Sequence, residues 1–87
     1  MEKQYHNTSG EGLHARPTAV LVGAITSFKS DITLVYKEKT VNLKSILGVM
    51  SLGVASGATV TIAANGEDEE QVMAKVDDIM QSEGLGK

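Results

Sequence analysis

The sequence predicts an α+β fold in which three helices cover one face of a four-stranded antiparallel sheet. Short segments with alternating apolar and polar residues are interleaved with segments whose apolar residues recur every three to four positions. The order that results is strand, helix, strand, strand, helix, strand, helix. Each predicted strand and each long predicted helix has one apolar face, and a sheet and a helix layer bury such faces against each other.

Composition limits the class of protein. We expect the 87 residues to form one domain, residues 1–87, near the lower size limit for folding alone. The net charge of −3 argues against direct binding of nucleic acid, and the absence of cysteine excludes disulfides and thiolate metal sites. We expect no secretion signal, because the first residues are not a basic and then apolar run, and no membrane span, because no apolar run is long enough. We therefore expect a cytoplasmic protein with no membrane insertion.

The first half of the chain begins with a predicted strand over residues 2–8, in which Asn7 disturbs the alternation. Residues 9–12 have the composition of a turn. A helix is predicted from Pro17 to about Lys29, because proline suits a first turn and a stripe of apolar residues follows. The residues of that stripe are Leu21, Ala24, Ile25 and Phe28. Val20 lies outside the stripe, which leaves it exposed to solvent.

The middle of the chain reads as a hairpin. Residues 32–36 alternate as a half-buried strand, with Ile32, Leu34 and Tyr36 on the apolar face, and residues 40–43 read as the partner strand. The connection over residues 37–39 lacks the Asn-Gly pair that favours a tight turn, so a different turn is expected.

The second half contains a short helix, a strand and a longer helix. Ser45 has the character of an N-cap, and Gly57 is expected to end that helical region. Residues 59–64 read as a strand, and Asn65 and Gly66 as a turn. The carboxylates of residues 67–70 are interpreted as a solvated first helical turn, since neighbouring helical residues point to different faces and do not converge on a metal or a substrate. The apolar stripe of the last helix consists of Val72, Val76, Ile79 and Met80.

The chemistry is concentrated in Gly-Leu-His-Ala-Arg-Pro, residues 12–17. Arg16 precedes a proline and is therefore expected to be extended, in the turn that leads to the helix. The free N–H groups and the dipole of a helix start favour an anion and disfavour an imidazolium, so His14 is expected to be neutral. A neutral imidazole beside a guanidinium suits a phosphoryl acceptor. The alternative is that His14 is an ordinary surface residue.

Two stretches together resemble one family. The first is residues 12–17, and the second is Val41–Gly53, Val-Asn-Leu-Lys-Ser-Ile-Leu-Gly-Val-Met-Ser-Leu-Gly. They are similar to HPr, the histidine-containing phosphocarrier of the bacterial sugar phosphotransferase system, in the form that carries a regulatory serine in low-GC Gram-positive bacteria. The resemblance covers essentially the whole chain and implies an open-faced β-sandwich.

The resemblance implies a phosphoryl carrier and no cofactor. Enzyme I would phosphorylate Nδ1 of His14, and the group would pass to the A domain of a sugar-specific Enzyme II, so the chain alone is not an enzyme. Arg16 would pair with the phosphate, together with the backbone of Ala15, Arg16, Pro17 and Thr18. The family usually has a small apolar residue at Thr18, whose hydroxyl could contact the phosphate or only cap the helix.

The resemblance also implies regulation and docking. HPr kinase/phosphorylase would phosphorylate Ser45, and the product would bind the catabolite control protein. Ile46, Leu47 and Met50 are by themselves equally compatible with a core, but the resemblance favours partner docking for them and for Val20. Leu47 stands where the family more often has methionine, a change that conserves volume.

Two other functions remain open at this point. One is a purely regulatory HPr-like module that acts through the phosphoserine alone, as in relatives that have lost the histidine. The other is a small enzyme in which His14 acts as a base with Glu11. The second histidine, His6, is interpreted as a solvent-facing strand residue with no metal role.

Overall fold

The computed structural model describes residues 1–6, 15–54 and 57–84. The seven elements occur in the predicted order. They are β1 (Glu2–His6), α1 (Ala15–Ile25), β2 (Asp31–Tyr36), β3 (Lys39–Asn42), α2 (Ile46–Ser51), β4 (Thr59–Asn65) and α3 (Glu69–Ser82). The predictions for Asn7 and for the turn over residues 9–12 lie outside the described residues.

The sheet is antiparallel throughout, with strand order β1-β4-β2-β3. Alternate residues of β2 and β4 are buried, and Ile32, Leu34 and Tyr36 form the buried face of β2 as predicted. Leu34 is opposite Ile62 of β4 on one side and Val41 of β3 on the other. Because side chains alternate across a strand, this register turns one apolar face toward the helices. The predicted fold class is confirmed.

Helix α1 differs from the prediction at both ends. It begins at Ala15 and ends at Ile25, whereas Pro17 and Lys29 were expected, and Arg16 is helical although an extended conformation was expected. The steric effect of a proline on the preceding residue is a bias and not a prohibition. Within a first turn the missing N–H of Pro17 breaks no hydrogen bond, so the helix includes both residues.

The buried stripe of α1 is rotated relative to the predicted one. Its members are Thr18, Leu21, Val22 and Ile25, while Ala24 is half-buried. Phe28 lies beyond the end of the helix and packs, partly buried, against the core. In α3 the buried residues are Val72, Met73, Val76 and Met80, and Ile79 is half-buried. Both helices bury residues at helical spacing, so the predicted periodicity is confirmed. The predicted choice of buried residues is corrected in each helix.

Two turns also differ from expectation. Lys37 and Glu38 form a two-residue hairpin turn in which both have positive φ, 48° and 69°, so the tight turn is made without Asn-Gly. Helix α2 ends at Ser51, and Gly53, with φ 60°, supplies the left-handed position after it. Gly57 also has positive φ, but it lies six residues after the end of α2 and two residues before the start of β4, so its predicted role as the helix cap is wrong.

The carboxylate of Asp68 joins the loop after α1 to the start of α3. It accepts hydrogen bonds from the N–H of Lys29 at 2.8 Å, from the N–H of Ser30 at 3.0 Å and from the hydroxyl of Ser30. Hydrogen bonds from the Ser30 hydroxyl and the Lys29 N–H hold the pKa of Asp68 below its usual range. The interpretation of residues 67–70 as merely solvated is therefore wrong for Asp68. Its carboxylate holds the loop between α1 and β2 against the start of α3.

This junction generates a prediction about two glycines. A Cβ on Gly66 would lie 2.7 Å from the Cα of Ser30, whereas a Cβ on Gly23, exposed within α1, would meet nothing within 4 Å. We expect Gly66→Ala to lower the free energy of unfolding by about 1–3 kcal/mol, because backbone must move. Gly23→Ala is the matched control and should raise it by about 1 kcal/mol. Urea unfolding measures both, and shifts of the same sign would contradict the prediction.

Candidate functional site

The candidate site is the first turn of α1. His14, the predicted acceptor, and the side chain of Ala15 lie outside the described residues. Arg16 is exposed, and its guanidinium forms no hydrogen bond or ion pair with any described residue. A free guanidinium offers five donors in a planar fork that matches phosphate oxygens. The described part of the site therefore presents an unused anion-binding group.

The backbone of the same turn adds donors. The first four N–H groups of an α-helix have no partner inside the helix, and the helix dipole makes this end positive. Of the four predicted backbone residues, Pro17 has no N–H, so Ala15, Arg16 and Thr18 remain as the predicted donors. Pro17 is buried, and its ring holds the backbone of the turn in place. The turn is suited to an anion whose charge arrives from outside.

The side chain of Thr18 points into the protein. Thr18 is only 1% exposed, and its hydroxyl has no hydrogen-bond partner within the described residues. Since α1 begins at Ala15, Thr18 is its fourth residue and not its N-cap. The alternative in which this hydroxyl caps the helix is therefore excluded by the helix bounds.

The four predicted docking residues are all exposed. Leu47 is 83% exposed, and Val20, Ile46 and Met50 are 39%, 41% and 37% exposed. Val20 lies on α1 and the other three on α2, and the two helices are in contact. We call these four residues the α1–α2 patch. Their exposure rules out the interpretation of Ile46, Leu47 and Met50 as core, which Val49 of the same helix supplies instead.

Ser45 is the N-cap of α2, as its sequence position predicts. Its backbone is extended, with φ −106° and ψ 111°, and its Oγ accepts a hydrogen bond from the N–H of Gly48 at 3.0 Å. A Cβ on Gly48 would lie 3.3 Å from that Oγ, so glycine leaves room around the cap. The sequence analysis did not single out Gly48. A glycine three residues after a serine N-cap could have indicated that the backbone approaches the cap closely.

Lys44 was also missed. Its ammonium donates to the carbonyl of Phe28 at 2.6 Å and so ties the residue before the Ser45 cap to the loop after α1. Only the tertiary structure brings these two segments together. The other histidine, His6, is exposed on β1 with Nδ1 3.4 Å from the hydroxyl of Thr59. In the described ranges, no three histidine, cysteine or acidic side chains are grouped as metal ligands would be.

The comparison with protein families decides the classification. The family model described as "PTS HPr component phosphorylation site" matches residues 1–82. The chain belongs to the HPr family. HPr proteins are phosphocarriers of the phosphotransferase system, so this phosphocarrier class and the general association with that system apply here. No helix in the described parts of the chain has the length and apolar character needed to cross a membrane.

Solved HPr structures agree with the fold. A histidine-containing phosphocarrier protein of Mycoplasma is 36% identical, with 100% of this chain and 99% of that chain covered at a TM-score of 0.97. The phosphocarrier protein HPr of Bacillus anthracis is 35% identical over 91% of this chain and 94% of its own, with a TM-score of 0.83. The catabolite repression protein Crh of Bacillus subtilis, a swapped dimer, is 44% identical over 86% of each chain, with a TM-score of 0.74.

Proposed function

We propose that this HPr-family chain carries a phosphoryl group on Nδ1 of His14. The observation that carries the proposal is the match to a family model for a phosphorylation site, combined with an exposed Arg16 on the first turn of α1 that pairs with no described residue. The donor is Enzyme I, charged from phosphoenolpyruvate, and the acceptor is the A domain of a sugar-specific Enzyme II. All three proteins would meet in the cytoplasm.

The transfer is an exchange of one P–N bond for another. The lone pair on Nδ1 of neutral His14 attacks the phosphorus carried by the donor's histidine. The donor's P–N bond breaks, its electron pair returns to the donor imidazole, and a new P–N bond forms on His14. Arg16 and the free N–H groups of the helix start bind the phosphoryl oxygens as they arrive. Because the bonds broken and formed are alike, the group passes onward as readily as it was received.

The α1–α2 patch supports docking of those partners. Four large apolar side chains exposed on two adjacent helices are unfavourable in water unless a partner covers them. Leu47 protrudes furthest and fits the role of a central anchor surrounded by Val20, Ile46 and Met50. Methionine adds a flexible contact that adapts to partners of different shape.

Regulation through Ser45 is the second part of the proposal. HPr kinase/phosphorylase would phosphorylate the hydroxyl that caps α2, and the catabolite control protein would bind the product. A phosphoserine adds about −1.5 to −2 charges at pH 7, next to Ile46 and Leu47. An apolar or acidic partner surface would reject that charge, whereas a surface with arginine would bind it.

A purely regulatory module is the competing candidate. The similarity to Crh and the position of Ser45 as the N-cap of α2 favour it. It predicts phosphorylation of Ser45 without transfer through His14, so labelling with phosphoenolpyruvate and Enzyme I separates the two candidates.

We expect His14→Ala to abolish phosphoenolpyruvate-dependent labelling by Enzyme I. His6→Ala is the matched control and should be labelled like the parent, since His6 lies on β1. Acid treatment checks the site, because phosphohistidine is acid-labile and phosphoserine is not. Label retained in the His14 variant and lost in the His6 variant would move the acceptor to β1.

Arg16→Lys should slow phosphoryl transfer by about tenfold, because lysine keeps the charge and loses the planar fork that binds two oxygens at once. Rapid-quench kinetics with phospho-Enzyme I measures the rate, and a titration with unphosphorylated Enzyme I checks that binding is intact. An unchanged rate would leave the backbone N–H groups as the sole phosphate ligands.

Ser45→Asp should keep the cap and slow transfer from Enzyme I by about tenfold or more, because a charge enters the docking surface. Ser45→Ala is the control: it loses the cap, which costs about 1 kcal/mol, but adds no charge, so its transfer rate should stay near that of the parent. Unfolding in urea and transfer kinetics report the two effects separately. A wild-type rate in Ser45→Asp would show that charge at this cap does not gate docking.

A further inference from the structure

One lysine joins the end of α1 to the start of α2. The ammonium of Lys44 donates a partly buried hydrogen bond to the carbonyl of Phe28 at 2.6 Å. Phe28 lies in the turn that follows α1, where its N–H donates to the carbonyl of Ile25 at 3.1 Å. Within the described residues, no other side-chain hydrogen bond connects these two segments.

The carbonyl of Phe28 depends on this bond. No backbone N–H of the described residues donates to it, and Phe28 packs, partly buried, against the core. A carbonyl that is withdrawn from water and has no partner costs free energy. The end of α1 is also negative, because the last carbonyls of a helix are unpaired, and its last turn contains no basic residue. Lys44 supplies the missing cation from a position 16 residues further along the chain.

On its other side, Lys44 directly precedes the cap of α2. The N–H of Lys44 donates to the side-chain oxygen of Asn42 at 2.9 Å, and the N–H of Ser45 donates to the carbonyl of Asn42 at 3.0 Å. These two bonds leave the residues before α2 little freedom to rotate. The bond to Phe28 therefore fixes where α2 begins relative to the end of α1.

The placement of α2 matters because the α1–α2 patch is divided between two helices. Val20 lies on α1, and the other three members lie on α2. Helix α2 has six residues, of which only Val49 is buried. A short helix with a single buried side chain is free to pivot on the core, so the arrangement of the patch needs a second fixed point.

We propose that Lys44 is a positioning residue for partner docking. Its bond to Phe28 holds the three α2 members of the α1–α2 patch in the arrangement with Val20 that a partner recognises. The inference rests on the proposed carrier function and adds to it a residue that acts through the patch. Since the ammonium of Lys44 is already bound to a carbonyl of its own chain, this role requires no contact with the charges of the partner.

The test uses two variants of the lysine and one control. Lys44→Met keeps most of the side-chain length and removes the donor, and Lys44→Arg keeps a cationic donor. Lys29→Met is the matched control, because Lys29 is exposed next to Phe28 and its ammonium binds no described residue. The measurements are the affinity for unphosphorylated Enzyme I at low and high salt, the rate of transfer at saturating phospho-Enzyme I, and hydrogen exchange of the Gly48 amide, which donates to the cap of α2.

We expect Lys44→Met to weaken binding of Enzyme I by about tenfold at both salt concentrations and to speed exchange of the Gly48 amide, because α2 loses a fixed point. The rate at saturation should stay near that of the parent, since Lys44 is given no contact with the phosphoryl group. Lys44→Arg should restore most of the affinity, and Lys29→Met should bind and exchange like the parent. A direct contact between the ammonium and an acidic partner would behave differently, because salt would screen it.

Several results would overturn the inference while the carrier function stands. They are a parent-like affinity or parent-like Gly48 exchange in Lys44→Met, a loss of affinity that vanishes at high salt, and an equal loss in Lys29→Met. Exchange of the Ile62 amide, at the centre of the sheet, should stay slow in Lys44→Met. If it speeds as much as that of Gly48, the bond stabilises the whole fold and the positioning role is wrong. A parent protein that neither binds Enzyme I nor takes label from it would instead overturn the proposed function, and this inference with it.

Discussion

Burial of one face of the sheet beneath the helices is the constraint on which the candidate site depends. Leu34 and Ile62, opposite each other at the centre of the sheet, are both fully buried. Helix α1 buries Leu21 and Ile25 in the same core. This packing fixes the rotation of the helix about its own axis. Once that rotation is set, the outward positions follow. Arg16 and Val20, four residues apart, share the exposed face, while Thr18 is turned inward. The predicted anion-binding end and the predicted docking residue Val20 thus lie on one side of one helix.

Helix α2 has a different basis. Its six residues are too few to form a stable helix by themselves, so it depends on its cap and on the burial of Val49. The bond from the Gly48 N–H to Ser45 and the tie from Lys44 to Phe28 hold its start against the end of α1. This arrangement leaves Leu47 almost fully in solvent. A short helix that is held in place by its cap and its neighbours can leave apolar side chains in solvent. A longer helix would have room to bury them.

The sequence allowed the element order, the buried face of β2 and the Ser45 cap to be predicted, because each depends on residues close together in the chain. The start of α1 was predicted wrongly because a proline only disfavours the helical conformation of the residue before it, and Arg16 is helical nonetheless. The role of Asp68 was missed because its partners lie 38 and 39 residues away in the chain. For the candidate site, exposure of Val20 followed from helical periodicity. The unpaired hydroxyl of Thr18 did not, since a missing partner is a property of the packed structure.

On the proposed function, the two helix starts explain how one small surface could serve both phosphoryl transfer and its control. On the proposed function, a partner that reaches the first turn of α1 would also cover Val20, and α2 is in contact with α1. Ser45 begins α2 directly before Ile46 and Leu47. A charge on its hydroxyl would therefore lie within the area that such a partner covers, and the cap geometry already suits an anion at a helix start. On the proposed function, control of transfer then needs no change in the fold of the carrier. It needs only a partner surface that rejects the charge, and a second kind of surface that binds it.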